Sequence, residues 1–133
     1  MAAVVAETAR EKTNSPIWAI TAYFNPVGYQ RRLWNYRLFR KQLSLPLLTV
    51  EFGWQGKFDL STSDAELLIQ LDGPDVLWQR ERLLNIAVAG VPANVSKLVW
   101  LDCDVLFENH DWIKHLDVAL VELPLVQAYS EVV

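Results

Sequence analysis

Apolar residues in this chain come in short runs, and the runs alternate with stretches of helical periodicity. Ile17-Trp-Ala-Ile-Thr-Ala-Tyr-Phe24, Leu47-Leu-Thr-Val-Glu-Phe52, Leu67-Leu-Ile-Gln-Leu71 and Leu98-Val-Trp-Leu101 are such runs. Bounded by turn residues, they read as buried strands. Tyr29 to about Leu43 predicts a helix. Leu33, Tyr36, Phe39 and Leu43 make its apolar stripe, widened by Trp34 and Leu38. Val76 to Ala89 predicts a second helix, with Asp75 placed to cap it and Gly90 and Pro92 to end it. Asp111 to about Leu120 predicts a third, and Leu123-Pro-Leu-Val-Gln-Ala-Tyr129 a closing strand. Asn25-Pro26-Val27-Gly28 reads as a turn, and Gly53 to about Asp64 as a loop. Met1–Ser15 reads as a flexible tail, followed by one domain over 16–133. Strands alternating with helices predict an α/β fold, a Rossmann-like, mostly parallel sheet with flanking helices.

Composition narrows the class. With 133 residues, 52% hydrophobic and 21% charged, the chain fits one small globular domain. A net charge of −4 argues against a nucleic-acid binder. No apolar run approaches the roughly 20 residues of a membrane helix. The single cysteine forbids an internal disulfide and fits a reducing compartment. The first residues do not read as a secretory signal, so a cytoplasmic location is expected.

The candidate chemistry centres on Leu98-Val-Trp-Leu-Asp-Cys-Asp-Val-Leu-Phe-Glu-Asn109. Four apolar residues lead into Asp102 and Asp104 at the strand's carboxyl end. In an extended backbone residues i and i+2 share a face, so the two carboxylates point one way and Cys103 the other, into apolar packing. Two anions side by side repel, and a hard divalent cation relieves the repulsion. Open α/β sheets bind ligands outside the carboxyl ends of their strands, where this pair lies. Asp at a strand end also serves simply as a turn residue or helix cap.

Other residues add weaker signals. Arg80 falls in the arc of Val76, Leu77, Leu83, Leu84, Ala87 and Val88. A guanidinium there either pairs with an acid, Asp102 or Asp72, or faces a ligand at the sheet edge. Arg31, Arg32, Arg37, Arg40 and Lys41 cluster on the first helix, as a phosphate attractor or as a solvated face. Trp18, Trp34 and Trp100 read as core, and Trp54 as an exposed ligand contact. His110 and His115 lack zinc-site spacing, and Cys103 lacks a neighbouring base.

Taken together, Ala22-Tyr-Phe-Asn-Pro26 after the first strand, an acid ending the second, Trp78-Gln-Arg-Glu-Arg-Leu-Leu-Asn85, and Val99-Trp-Leu-Asp-Cys-Asp-Val-Leu-Phe107 resemble a known family. The likeness is to the nucleotide-binding half of GT-A-fold glycosyltransferases of the family 2 type. The Leu-Leu-Asn helix is also similar to the galactosyltransferase pattern Phe-Asn-Arg-Ala-Lys-Leu-Leu-Asn. Trp112 and Val126-Gln-Ala-Tyr-Ser130 look like the stretch that follows the motif there. The resemblance implies roles: Tyr23 and Asn25 lining the nucleotide pocket, Glu51 facing a uracil base, and Arg80 contacting the nucleotide or its phosphates. It implies Asp102 beside ribose and metal, and Asp104 on the metal, Mn2+ or Mg2+. The donor would be a nucleotide sugar, a UDP-sugar by this likeness, and the acceptor an unspecified glycan, lipid or protein. Nucleic acid is not an expected partner. Such domains carry their acceptor site and catalytic base in a second half, so the likeness implies an incomplete half-domain, open to association through its sheet. Two rivals stand beside it: a haloacid-dehalogenase-type phosphatase, which shares the apolar-strand-Asp-x-Asp arrangement, and a non-catalytic interaction module.

Overall fold

The computed structural model describes residues 3–7, 16–74 and 76–132. Five strands, β1 (Ala3–Glu7), β2 (Ile17–Phe24), β3 (Leu47–Trp54), β4 (Leu67–Gly73) and β5 (Lys97–Trp100), make one sheet in the order β1-β4-β3-β2-β5. β2 to β5 run parallel, and β1 joins the edge of β4 antiparallel. Three helices, α1 (Gln30–Gln42), α2 (Arg80–Gly90) and α3 (Trp112–Glu122), lie on the two faces. The expected Rossmann-like, mostly parallel α/β sheet is what the chain forms. Among the described residues no helix is long and apolar enough to cross a membrane.

Strand alternation sorts the core into two layers. Ile17, Ala19 and Tyr23 of β2, with Leu47, Leu68 and Val99, pack against Tyr36 and Phe39 of α1 and Leu116 of α3. Trp18, Ile20, Ala22 and Phe24, with Leu48, Val50, Phe52, Ile69 and Leu71, pack against Leu83, Leu84 and Ala87 of α2. Because both faces are covered, β2 is buried along its whole length and its apolar run is nearly continuous. Polar atoms inside the first layer are paired. The Tyr36 hydroxyl donates to the Asp64 carbonyl at 3.0 Å and shares a 2.8 Å hydrogen bond with Thr49. Glu66 accepts from Arg40 at 2.6 Å and from the Leu47 backbone N–H at 2.7 Å, so it ties α1 to the start of β3.

Several expectations are corrected. Within the segment read as a tail, Ala3–Glu7 is a strand in the sheet. No strand forms at Leu123–Tyr129, which runs on after α3 without a ladder partner. The second helix begins at Arg80, not Val76, leaving Val76, Leu77 and Trp78 exposed ahead of it. Its expected cap, Asp75, lies outside the described residues. On α1 the apolar stripe is narrower than expected: Trp34 is 69% exposed and Leu38 is exposed as well. The basic residues of α1 serve the fold for the most part. Arg32 donates to the Phe24 carbonyl, Arg37 pairs with Asp64 and Arg40 with Glu66, while Arg31 and Lys41 face solvent.

Candidate functional site

The strand order itself places the site. From β2 the chain steps to β3 and then β4 on one side, and α2 carries it back to β5 on the other side of β2. The direction of winding therefore reverses between β2 and β5, and the crevice outside the carboxyl ends of those strands is where open α/β sheets bind ligands. Two segments leave the sheet at that end, Asn25–Gly28 after β2 and Leu101–Val105 after β5. Leu101 is held in register by its N–H to the Ile20 carbonyl (3.1 Å) and by the Thr21 hydroxyl on its own carbonyl (2.7 Å).

Asp102 and Asp104 follow, but not on an extended strand. β5 ends at Trp100, and the Val105 N–H reaches back to the Asp102 carbonyl at 3.3 Å, so Asp102–Val105 is a turn. Period-two alternation thus does not align the two carboxylates. Both acids are exposed. Cys103, between them, packs against the core on the α1 side, as the alternation argument expected. Burial, and after it the charge of Asp104, pushes its thiol up to about 11, which leaves it protonated and unreactive near neutrality.

Arg80 answers the question its position raised. Its Nε and Nη2 both donate to Asp102 Oδ1, at 2.9 and 2.6 Å. Its guanidinium carbon lies 5.9 Å from the ring centre of Trp100. Trp100 is 59% exposed, so the expectation that it belongs to the core is corrected; Trp34 fails in the same way, and Trp18 is buried as expected. Arg80, Asp102 and Trp100 form a half-open cation, anion and aromatic group beside the switch point. Phe24 and Trp78 stack on each other, 5.5 Å between ring centres.

On the other side of the carboxyl ends lies a polar cluster. The Tyr23 hydroxyl donates to Asp59 Oδ2 at 2.8 Å, and Asn25 Nδ2 donates to the same oxygen at 2.6 Å. Asn25 Oδ1 accepts the Tyr29 N–H at 3.0 Å and so fixes the turn into α1. Burial, then the Asp59 carboxylate, raises the Tyr23 phenol far above its ordinary value, so it is a fixed hydrogen-bond donor. Glu51 stands between Tyr23 and Gln70 in the sheet register. Only 2% exposed, its carboxylate accepts the Asp59 N–H at 2.6 Å, the Leu60 N–H at 3.3 Å and Gln70 Nε2 at 2.8 Å. Burial raises its carboxyl above the ordinary range, against those donors. Glu51 thus anchors the loop after β3, and its acceptor capacity is largely spent inside the protein. Nothing in the local sequence marks Asp59 as part of a site. Its only local signal is an acid in a Gly-containing loop, and the partners that give it meaning lie 34 and 36 residues away.

Two clefts open at these strand ends. The smaller, about 210 Å³, is bordered by Asn25, Gly28, Glu51, Trp54, Lys57 and Asp59. Trp54, read as an exposed ligand contact, is the half-buried last residue of β3 and borders this cleft. The larger, about 470 Å³, lies between Phe52, Gln55, Asp72, Gly73, Gln79 and Arg82.

The donor set decides what metal could be held. Among the described residues no group of three or more His, Cys, Asp or Glu side chains is placed to hold an ion. Two exposed carboxylates, one already paired with Arg80, do not make a protein cage. They fit the mode in which one or two carboxylates hold Mg2+ or Mn2+ and a ligand's phosphates complete the sphere. In comparisons with protein-family models, curated proteins and solved structures, this chain matches none.

Proposed function

We propose that this chain is the nucleotide-sugar-binding domain of a glycosyltransferase, taking a UDP-sugar with Mn2+ or Mg2+ and serving glycosyl transfer to a glycan, lipid or protein acceptor. One observation supports the reading: Arg80, Asp102 and Asp104 lie after β5 at the carboxyl end of the sheet, where its winding reverses, with the Asn25 turn after β2 at the same end. Each group then has a task. Arg80 balances anionic charge at the mouth of the crevice and, held by Asp102, is oriented before a ligand arrives. Asn25 and Tyr23, locked through Asp59, keep the β2 turn rigid against the ligand. Asp104, exposed at the turn, is the carboxylate open to a metal. A divalent cation, when bound, would neutralise charge growing on the leaving nucleoside diphosphate.

A thermal melt with and without Mn2+ and UDP tests the reading, repeated on Asp104→Ala. A ligand bound only by the folded state adds about 2.7 kcal/mol at a hundredfold excess over Kd. The expected result is a shift that needs metal and nucleotide together and is absent in the variant. Metal alone should shift little, because the ligand completes the sphere. A cooperative melt that no combination moves would overturn the reading.

A second reading, an interaction module, draws on a different observation. Val118 and Val121 on α3, and Leu125 beyond it, are exposed, and β5 ends the sheet on that side. Stability that rises with protein concentration and ignores nucleotide would favour it.

A further inference from the structure

α1 covers one face of the sheet and carries a second apolar stripe on its outer side. Tyr36 and Phe39, both buried, fix which side faces the strands. At 3.6 residues per turn, Arg31, Trp34, Leu38 and Lys41 fall within an arc of about 80° centred opposite Tyr36. They line up along about 15 Å of helix, a cation at each end and two bulky apolar side chains between. Trp34 is 69% exposed and Leu38 47%. A lone exposed apolar residue is ordinary, but an apolar pair framed by cations on one helix face has the make-up of an interfacial helix. The charge of the helix is one-sided too. α1 holds five of the twelve basic residues and none of the sixteen acids. Arg37 and Arg40 are matched by Asp64 and Glu66. Arg32 donates to the Phe24 carbonyl, which leaves its charge uncancelled. Arg31 and Lys41 are exposed and, among the described residues, have no acid partner. The outer side of α1 is therefore cationic on a chain whose net charge is −4. An anionic surface attracts this side and repels the rest, which sets an orientation.

We propose that the outer face of α1 docks on an anionic lipid surface, with Trp34 and Leu38 entering the headgroup layer and Arg31 and Lys41 against lipid phosphates. The proposal stands apart from the nucleotide-sugar reading and uses none of its residues. Charge complementarity selects an anionic partner, and the apolar pair selects lipid among anionic partners. A nucleic acid would use the cations and could stack a base on Trp34, but Leu38 offers it neither a stacking face nor a hydrogen bond. A lipid surface uses all four side chains. An indole settles at the boundary between water and hydrocarbon, Leu enters the acyl layer, and the stems of Arg and Lys lie along it while their charged ends reach the phosphates. α1 has 13 residues, five of them basic, so it lies on the surface and does not cross it. Two apolar side chains and two cations give weak, reversible attachment that salt reverses.

Co-sedimentation of the full chain with vesicles tests the proposal. Vesicles of phosphatidylcholine alone are compared with vesicles that also hold about 30% phosphatidylserine. The chain should bind only the second kind, and less as salt rises from about 0.05 to about 0.5 M. Arg31→Gln and Lys41→Gln together should lower the affinity about twentyfold, at about fivefold for each cation. Trp34→Ser should lower it at least about tenfold. Lys114→Gln, which removes an exposed cation from α3, should change it by less than about twofold. All four side chains are exposed, so the variants should keep the melting temperature of the parent. Binding to neither kind of vesicle, equal binding to both, full binding by Trp34→Ser, or a loss in Lys114→Gln as large as in the α1 variants would each overturn the proposal. So would a single-stranded oligonucleotide or a polyglutamate chain that binds through Arg31 and Lys41 where vesicles do not, since the face would then belong to that partner.

Discussion

Glu51 shows how one side chain can be costly and necessary together. Burial holds its carboxyl above the ordinary value of about 4.5, while three contacts from the Asp59 and Leu60 N–H groups hold the loop after β3 against the sheet and Gln70 of β4 donates a fourth. Folding therefore favours its protonated form. Its contribution to stability is complete below the ordinary carboxyl range and is lost as pH rises through the raised folded value. Glu51→Gln carries no charge at any pH, but its amide N–H faces donors, so at acid pH it should cost about 1–3 kcal/mol. Denaturant unfolding of both proteins from about pH 4 to about pH 7 should show this gap shrinking as pH rises. A gap that widens instead would mean that the loop amides stabilise the anion beyond the cost of burying it. Sequence shows the acid at the end of an apolar run. It does not show that the acid's partners are backbone N–H groups of its own loop, because every loop residue carries the same N–H and only the folded path selects two of them.

At the scale of elements, α1 separates what periodicity reveals from what it does not. A helical arc identifies which residues can share a face, and Tyr36 and Phe39 do face the sheet. It does not give the width of the contact, which depends on how closely the helix lies on its strands, and Trp34 and Leu38 fall outside it. Tyr36→Phe leaves Thr49 and the Asp64 carbonyl without their buried partner and should cost about 1–3 kcal/mol. Trp34→Ser should stay within about 0.5 kcal/mol. Urea midpoints at unchanged slope give both numbers, and a large cost at Trp34 would mean that something covers it in solution. The same distinction explains the ends of the chain. Leu123–Tyr129 has a strand's composition but finds no neighbour, whereas Ala3–Glu7 has little pattern and finds the open edge of β4. Strand identity is conferred by a partner, and the partner is not local. The motif after β5 was legible as chemistry, two acids beside an arginine-bearing helix, but its geometry was not, because the strand ends at Trp100 and a turn begins.

For the whole molecule, the outcome that matters most is the order of strands. Alternating elements imply parallel pairing, but which strand becomes central depends on where the crossovers turn, and here β2 lies between β3 and β5. That placement, and not any single residue, puts the segments after β2 and β5 at the same end of neighbouring strands. On the far side, β1 covers the backbone groups of β4 that would otherwise face solvent. Removing residues 1–8 should expose that edge and shift the protein toward concentration-dependent association, read by light scattering, with the far-ultraviolet spectrum largely kept. Dispersed monomers across the concentration range would mean that the edge is protected another way. The pairing also sets a clock. Glu7 meets Leu67 sixty residues later in the chain, so at a synthesis rate of about 5–20 residues per second β1 waits several seconds on the ribosome before its partner exists. During that interval β2 and β3, joined only through α1, can already assemble, so β1 is placed after strands that follow it in the chain.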